Sequence, residues 1–409
     1  MSEITHIPAP DTSRLTRFCR LTAAMIPACV IGYSALVDPL LNIGTLGDDV
    51  GGVILGAQSK STTLTKIVMS SFLLASLAIA IWARPVIPHR LKMALIPGGM
   101  LLALACVSAA WGKAPIDTLM LAVYQSMLFA TLLISVAVSA DPRRIMHFML
   151  LMLALVVAAN VVAVFTLPPA ANGHPGIYLF KNTTGAAAGC ALLFGLFHLF
   201  KGKLVWRAMV WFTTIGAVFV TFASDSKAAL ALAIAAPLLV ALFFLMSWAL
   251  AIGPMMTLML MVALIVSGFY VIAGMMSFDF EDVLVAIYGG TSFTGRTDIW
   301  ALMHEHMPLS PWFGNGYRGF WSLAASPKHA SEIVFIRTIG SGHNGYLDIR
   351  LDLGIVGLCL LVLFMALSFQ TIARFGRRPT FRSMSYMAIF IFLAVRNTME
   401  STILWSMHF

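Results

Sequence analysis

Charge is scarce in this sequence: 17 acidic and 26 basic side chains make up 11% of 409 residues, where a soluble domain carries about 25%. So little charge cannot cover a soluble surface, which excludes a soluble enzyme and a disordered protein alike. Cysteine is also sparse. Cys19, Cys29, Cys106, Cys190 and Cys359 lie in or beside apolar runs and none falls in a long polar loop, which excludes a disulfide-stapled secreted domain. No internal repeat is visible, and its absence weakens an inverted-repeat transporter. Residues 1–20 are polar and basic, but the apolar run after them is long and lacks a clean small-residue cleavage site. It is expected to be a retained first helix rather than a signal peptide.

What the chain has in abundance is apolar length. Hydrophobic residues make up 60% of it and the mean hydropathy is +0.91. One bilayer crossing takes about 20 apolar residues. Runs near 21–43, 64–83, 91–110, 117–139, 145–167, 183–200, 205–223, 228–248, 254–275, 351–373 and 383–405 therefore predict an all-α polytopic membrane protein of about 11 (10–12) helices. A short piece near 44–58 is a candidate re-entrant segment.

The net charge of +9 on its own suggests nucleic acid or an anionic surface, but in a membrane protein the placement of the charges carries the information. Lys and Arg resist translocation. With the N-terminus inside, the inner segments hold Arg14, Arg17 and Arg20; Arg84, Arg90 and Lys92; Arg143 and Arg144; Lys201, Lys203 and Arg207; and Arg374, Arg377, Arg378 and Arg382. The short outer turns carry about one each (Lys60, Lys113, Lys181, Lys227). The division that follows is a cytoplasmic tail over 1–20, a bundle of about nine helices over 21–275, a long outer loop over 276–342, and C-terminal helices over 343–409. No nucleic-acid partner is expected, and membrane lipids surround the bundle.

Loops longer than about 12–15 residues usually carry function, and polar chemistry concentrates in the loop 276–342. It contains Asp279, Glu281, Asp282, Arg296, Asp298, His304, Glu305, His306, Arg318 and Arg337, with His343 at its end. Ile299, Leu302, Met303 and His306 recur at helical spacing, as in a helix lying along the membrane interface.

Ionisable groups where helices meet the membrane are costly and mark function by default. Lys181 and Asn182 open one helix, Ser224–Lys227 forms a tight outer turn, and Arg296 lies in Thr294-Gly295-Arg296-Thr297-Asp298-Ile299-Trp300. His343 and Asn344 lead into a later helix, and Arg396, Asn397 and Glu400 approach the outer end of the last one. Topology brings all of these to the outer face. Cations there suit a phosphate or diphosphate, with arginine offering a bidentate fork, and a histidine suits a general base toward a hydroxyl.

The same residues carry a family resemblance. Lys-Asn at a helix start, Ser-Lys-Ala after a helix, Gly-Arg-Thr-Asp-Ile-Trp, Gly-Asn-Gly-Tyr-Arg-Gly-Phe-Trp and His-Asn-Gly-Tyr-Leu with Leu-Gly-Ile-Val-Gly resemble the bacterial O-antigen ligase/polymerase superfamily. The likeness runs over most of 100–405, is most specific across 291–357, and looks closest to the exopolysaccharide polymerase branch. It implies a glycosyltransferase of the bacterial inner membrane, working at the periplasmic face without a metal or cofactor. The donor it implies is an undecaprenyl-diphosphate-linked glycan, and the acceptor a second glycan (polymerase) or lipid A-core (ligase). A flippase and a chain-length regulator are further partners left open. Arg296 and His343 match the family's arginine and histidine and are the expected catalytic residues. Lys227 stands where the family usually has arginine, which keeps the charge but loses the planar fork. Lys227, Lys181, Asn182, Arg318, Arg337 and Asn344 are the expected substrate-binding set.

Blander readings stand beside these. His343 also fits a structural loop histidine, and Arg296 an arginine reaching for lipid phosphates. Asp225 is placed to pair with Lys227. Asp348 and Asp352 fit residues that orient neighbours or pair with Arg350, and the glycine-rich Gly314–Gly319 reads first as a plain turn around Arg318. Asp279, Glu281 and Asp282 fit a solvated acidic loop start better than a divalent-cation site. In His304-Glu305-His306 a helix would point the two rings apart, a poor zinc arrangement.

Overall fold

The computed structural model describes residues 14–42, 53–85, 87, 89–139, 141–170, 173–178, 180–200, 202–276, 295–307, 311–322, 326–333, 336–337, 339–374 and 380–401. Asp279, Glu281 and Asp282 lie outside them. The principal helices are α1 (Arg14–Gly32), α2 (Val53–Ala83), α3 (His89–Val107), α4 (Pro115–Ser139), α5 (Pro142–Thr166), α6 (Lys181–Leu196), α7 (Leu204–Ala223), α8 (Lys227–Ala249), α9 (Pro254–Met276), α10 (Arg296–Glu305), α11 (Gly345–Arg374) and α12 (Phe381–Arg396). Among the described residues there is no strand, only an isolated bridge between Ala170 and Gly173. Nine helices there are long and apolar enough to span a bilayer, and the chain is an all-α polytopic membrane protein. Each of the eleven expected runs carries a helix.

Two of the eleven are short. Helices α6 and α12 have 16 residues each, about 24 Å at 1.5 Å per residue, against a hydrocarbon core of about 30 Å. The apolar run 383–405 predicts a longer helix, but α12 stops at Arg396 and residues 397–400 form a turn, with 402–405 outside the described residues. That turn brings Glu400 back toward the bundle.

Small residues let the helices approach closely, which matters where lipid tails supply no hydrophobic drive for association. On α6 a Cβ added at Gly189 would meet the Phe392 ring of α12 at 2.6 Å, and one at Gly185 would meet Ser226 Cβ at 2.6 Å and Ala229 of α8 at 2.9 Å. The main packing pairs are α11 with α3, α6 with α7 and α8, α1 with α4 and α5, α5 with α7, α2 with α4, and α12 with α8. Leu193, Val240, Phe243, Phe369, Met387 and Phe392 form the largest buried cluster. Ile116 and Trp248 are each 82% exposed, as side chains facing lipid would be.

Helix α11 is broken. Gly354 adopts φ +68°, the left-handed region that favours glycine, and a Cβ there would overlap the Trp312 carbonyl. The loop 311–316 lies in the break. Ile355 N–H donates to Pro311 O at 2.8 Å, and Asn315 and Gly316 N–H donate to Leu351 O and Asp352 O, each at 2.9 Å. The loop is thereby fixed to the start of the helix that follows His343.

Helix α10 corrects one expectation. Its apolar face is turned to protein rather than left for lipid: Ile299 and Met303 are fully buried against Phe320, Trp321, Ile336 and Leu351. A three-to-four-residue apolar repeat serves a protein partner as well as lipid, so periodicity alone does not separate the two.

Candidate functional site

Five segments converge at one end of the bundle: the start of α6, the α7–α8 turn, the start of α10, the residues preceding α11, and the turn after α12. Glu400 is where they meet. Arg296 Nη2 donates to Glu400 Oε1 at 2.7 Å, and Asn182 Nδ2 donates to the same oxygen at 2.8 Å. His343 Nδ1 lies 2.9 Å from Glu400 Oε2. Asn182 extends the network: its Oδ1 accepts from Ser226 Oγ at 3.3 Å and its carbonyl accepts from Arg396 Nη2 at 3.3 Å.

Burial alone would push the Glu400 carboxyl up, since it penalises the charged form. The His343 hydrogen bond and charge, with Arg296 and Arg396, outweigh it and hold the carboxyl at about 2 instead of its ordinary 4.5. A carboxylate only accepts, so Nδ1 carries the hydrogen of that bond and Nε2 is the nitrogen left to exchange a proton with a substrate. His343 keeps 32% of its side-chain surface, against 14% for Arg296 and 17% for Glu400. The ring is therefore reachable while its anchor is not.

Local structure sets the imidazole. His343 takes φ +49°, a conformation that costs a non-glycine residue about 1–3 kcal/mol unless its surroundings impose it. Here they do. Gly342 N–H donates to both oxygens of buried Asp348, at 3.0 and 3.2 Å, and Trp300 Nε1 donates to the Gly342 carbonyl at 2.9 Å. On the other side, Gly345 N–H donates to Asn397 O at 2.8 Å. Asp348 also accepts from Trp321 Nε1 at 2.7 Å and from Ser401 Oγ, and so joins the loop, α11 and the segment after Glu400.

The remaining expected residues divide. Lys181 joins the cluster through Asp225, whose carboxylate lies 3.8 Å from its ammonium and whose carbonyl accepts from it at 3.3 Å. Asp225 (φ +49°) thus turns to Lys181, not to Lys227 as its sequence position suggested. Lys227 is exposed at the start of α8, next to Ser226. Asn344 Oδ1 accepts from Tyr346 N–H at 3.1 Å and Leu347 N–H at 3.2 Å, capping α11.

Arg318 and Arg337 each make a contact away from Glu400. The Arg318 backbone N–H donates to Asp352 Oδ2 at 2.8 Å, in a turn where Gly316 lies against Gly112. Arg337 is exposed, and its Nε donates to Ser331 O at 2.7 Å.

The residue without an expected role is Glu400. Its signal was available: a glutamate close behind Arg396 in an otherwise apolar stretch must find a cationic partner. Which partner depends on the fold. The cluster can hold an anion against Arg296 and the neighbouring lysines, and can present Nε2 of an oriented imidazole to a proton donor.

Among comparisons with known proteins, residues 212–362 match the family model described as O-antigen ligase, which supports placing the chain in the O-antigen ligase/polymerase superfamily. No curated protein gives a significant match. The matched region includes Lys227, Arg296 and His343, while Asn182 and Glu400 lie on either side of it.

Proposed function

We propose, for a chain that carries an O-antigen ligase domain over residues 212–362, that it transfers glycan from undecaprenyl diphosphate at the periplasmic face of the bacterial inner membrane. The observation that carries the proposal is Glu400 joined to both Arg296 and His343. It is supported by the basic residues at the opposite end of the bundle, which favour that end as the cytoplasmic one.

In the proposed reaction the donor diphosphate lies against Arg296, with Lys181 and Lys227 beside it. The acceptor hydroxyl oxygen attacks the anomeric carbon, and its proton passes to His343 Nε2. The bond between the anomeric carbon and the phosphate oxygen breaks, and its electron pair leaves with the lipid diphosphate. The extra negative charge there is met by fixed cations. Glu400 holds the His343 tautomer and stabilises the imidazolium as it forms, so it is a positioning residue. No metal or cofactor is required by this scheme.

The favoured acceptor is a second lipid-linked glycan, making the protein a polymerase; the wording around Arg296 and Trp321 supports this. Transfer to lipid A-core is the second reading, favoured by the description of the matched family. Deleting the gene separates them. Loss of polymer with retention of single capped units supports the polymerase, and polymer retained on undecaprenyl diphosphate supports the ligase. Full-length glycan on its normal acceptor would overturn both. A transporter or flippase is disfavoured because the charges gather at the ends of the helices. Purified protein that transfers lipid-linked glycan in detergent, without a gradient, excludes it.

A further inference from the structure

At the end of the bundle opposite Glu400, a cavity of about 1000 Å³ opens between the starts of α5, α7 and α12 and the end of α6. Its walls are Arg143, Lys203 and Arg382 as cations, His147 and His198, and the apolar Met146, Trp206 and Phe381. No carboxylate is among its described lining residues. Three helices of 16 residues or more start here; the α5 start is already capped by the Asp141 carboxylate, which accepts from Arg143 and Arg144 N–H, so the positive dipole ends that add to the three cations are those of α7 and α12. Neighbouring charges are differently engaged: Arg144 is paired with Asp141 at 3.0 Å and does not line the cavity.

The wall is amphipathic, and the ring contact between His147 and Trp206 (centroids 4.4 Å apart) shapes its apolar side. A small hydrated anion needs only the cations. Apolar side chains beside them suit a molecule with a phosphate at one end and hydrocarbon at the other. Basic pockets between transmembrane helices on the cytoplasmic side are suited to anionic lipid head groups.

We infer that this cavity is a binding site for an anionic phospholipid of the inner leaflet, its phosphate held by Arg143, Lys203 and Arg382 and an acyl chain lying along Met146, Trp206 and Phe381. The site is separate from the proposed glycan-transfer centre. A lipid bound there joins α5, α7 and α12, the last of which leads to Glu400.

The test is binding to delipidated full-length protein in detergent, followed by native mass spectrometry and thermal shift. Phosphatidylglycerol, phosphatidylcholine of the same chain length and inorganic phosphate are the three probes. Phosphatidylglycerol is expected to bind and raise Tm, while the R143Q/K203Q/R382Q variant binds it at least tenfold more weakly. The charge-keeping variant R143K/R382K should stay within about threefold of wild type, showing that the fold tolerates change at these positions. Arg207→Gln, which removes an exposed cation from the same end outside the cavity, should bind as wild type does. Equal binding of phosphatidylcholine, undiminished binding by the triple glutamine variant, or inorganic phosphate competing for the site at the same concentration would each overturn the inference.

Discussion

His343 Nδ1 stands 2.9 Å from Glu400 Oε2 across 57 residues of sequence, and the other oxygen of that carboxylate is held by Arg296 at 2.7 Å. One acidic group therefore orients the proposed base and is itself fixed by the proposed diphosphate ligand. The arrangement couples two functions that sequence treats as separate residues.

Glu400→Gln removes the charge but keeps the shape. General-base chemistry by a positioned group contributes about 10²–10⁴-fold, so His343→Ala should lower transfer by that order. E400Q should lose about 10²-fold, with kcat falling more than KM rises, because the imidazole loses its orienting charge. Transfer of a lipid-linked glycan by purified variants measures both. E400Q activity within twofold of wild type would remove Glu400 from the mechanism.

The Glu400 carboxyl at about 2 lies below its ordinary 4.5. A depressed carboxyl stabilises the fold above its unfolded value and loses that contribution as pH falls through the folded one. The gap in Tm between wild type and E400Q should therefore stay constant from pH 8 to 5 and narrow from about pH 4.5 toward 2. Differential scanning fluorimetry in detergent across that range checks it. A gap that closes between pH 7 and 5 would mean the carboxyl is not held low.

The fold was legible because lipid forces long apolar runs into helices, leaving little choice of structure. Arg296, His343 and Asn182 were legible as polar residues at helix starts in short, specific motifs. Glu400 lacked a partner in sequence because its cations lie on α10 and before α11. Sequence distance offers Asp225 the nearer lysine, Lys227, because it ignores a left-handed turn that directs the side chain to α6. For α10, the apolar repeat gives the helix but not what covers it: Phe320 and Trp321 arrive from a short helical turn, Gly319–Ser322, that pattern alone does not place.

Asp348→Asn tests the anchor of the His343 turn. The carboxylate accepts from Gly342, Trp321 and Ser401, and an amide would turn donors toward at least one of these. Leaving a buried donor unsatisfied costs about 1–3 kcal/mol. D348N should unfold at lower temperature and lose transfer activity as the turn relaxes, whereas Asp298→Asn on α10 should do neither. Thermal unfolding with parallel glycan-transfer assays distinguishes them, and a D348N variant with wild-type Tm would deny Asp348 this role.

Gly354→Ala tests the break in α11. At φ +68° an alanine is strained by about 1–3 kcal/mol before its Cβ meets the Trp312 carbonyl. Relief requires either expelling the loop 311–316 or straightening the helix, and each breaks the hydrogen bonds from Asn315, Gly316 and Ile355. The loop continues through the turn at Arg318, held by Asp352, to Trp321, held by Asp348. G354A should therefore lower Tm and also reduce transfer by a residue that touches no substrate. Gly268→Ala on α9 is the matched control: nothing lies within 4 Å of the added Cβ, and removing a helix glycine changes stability by no more than about 1 kcal/mol. If the two variants unfold at the same temperature, the loop does not depend on the break.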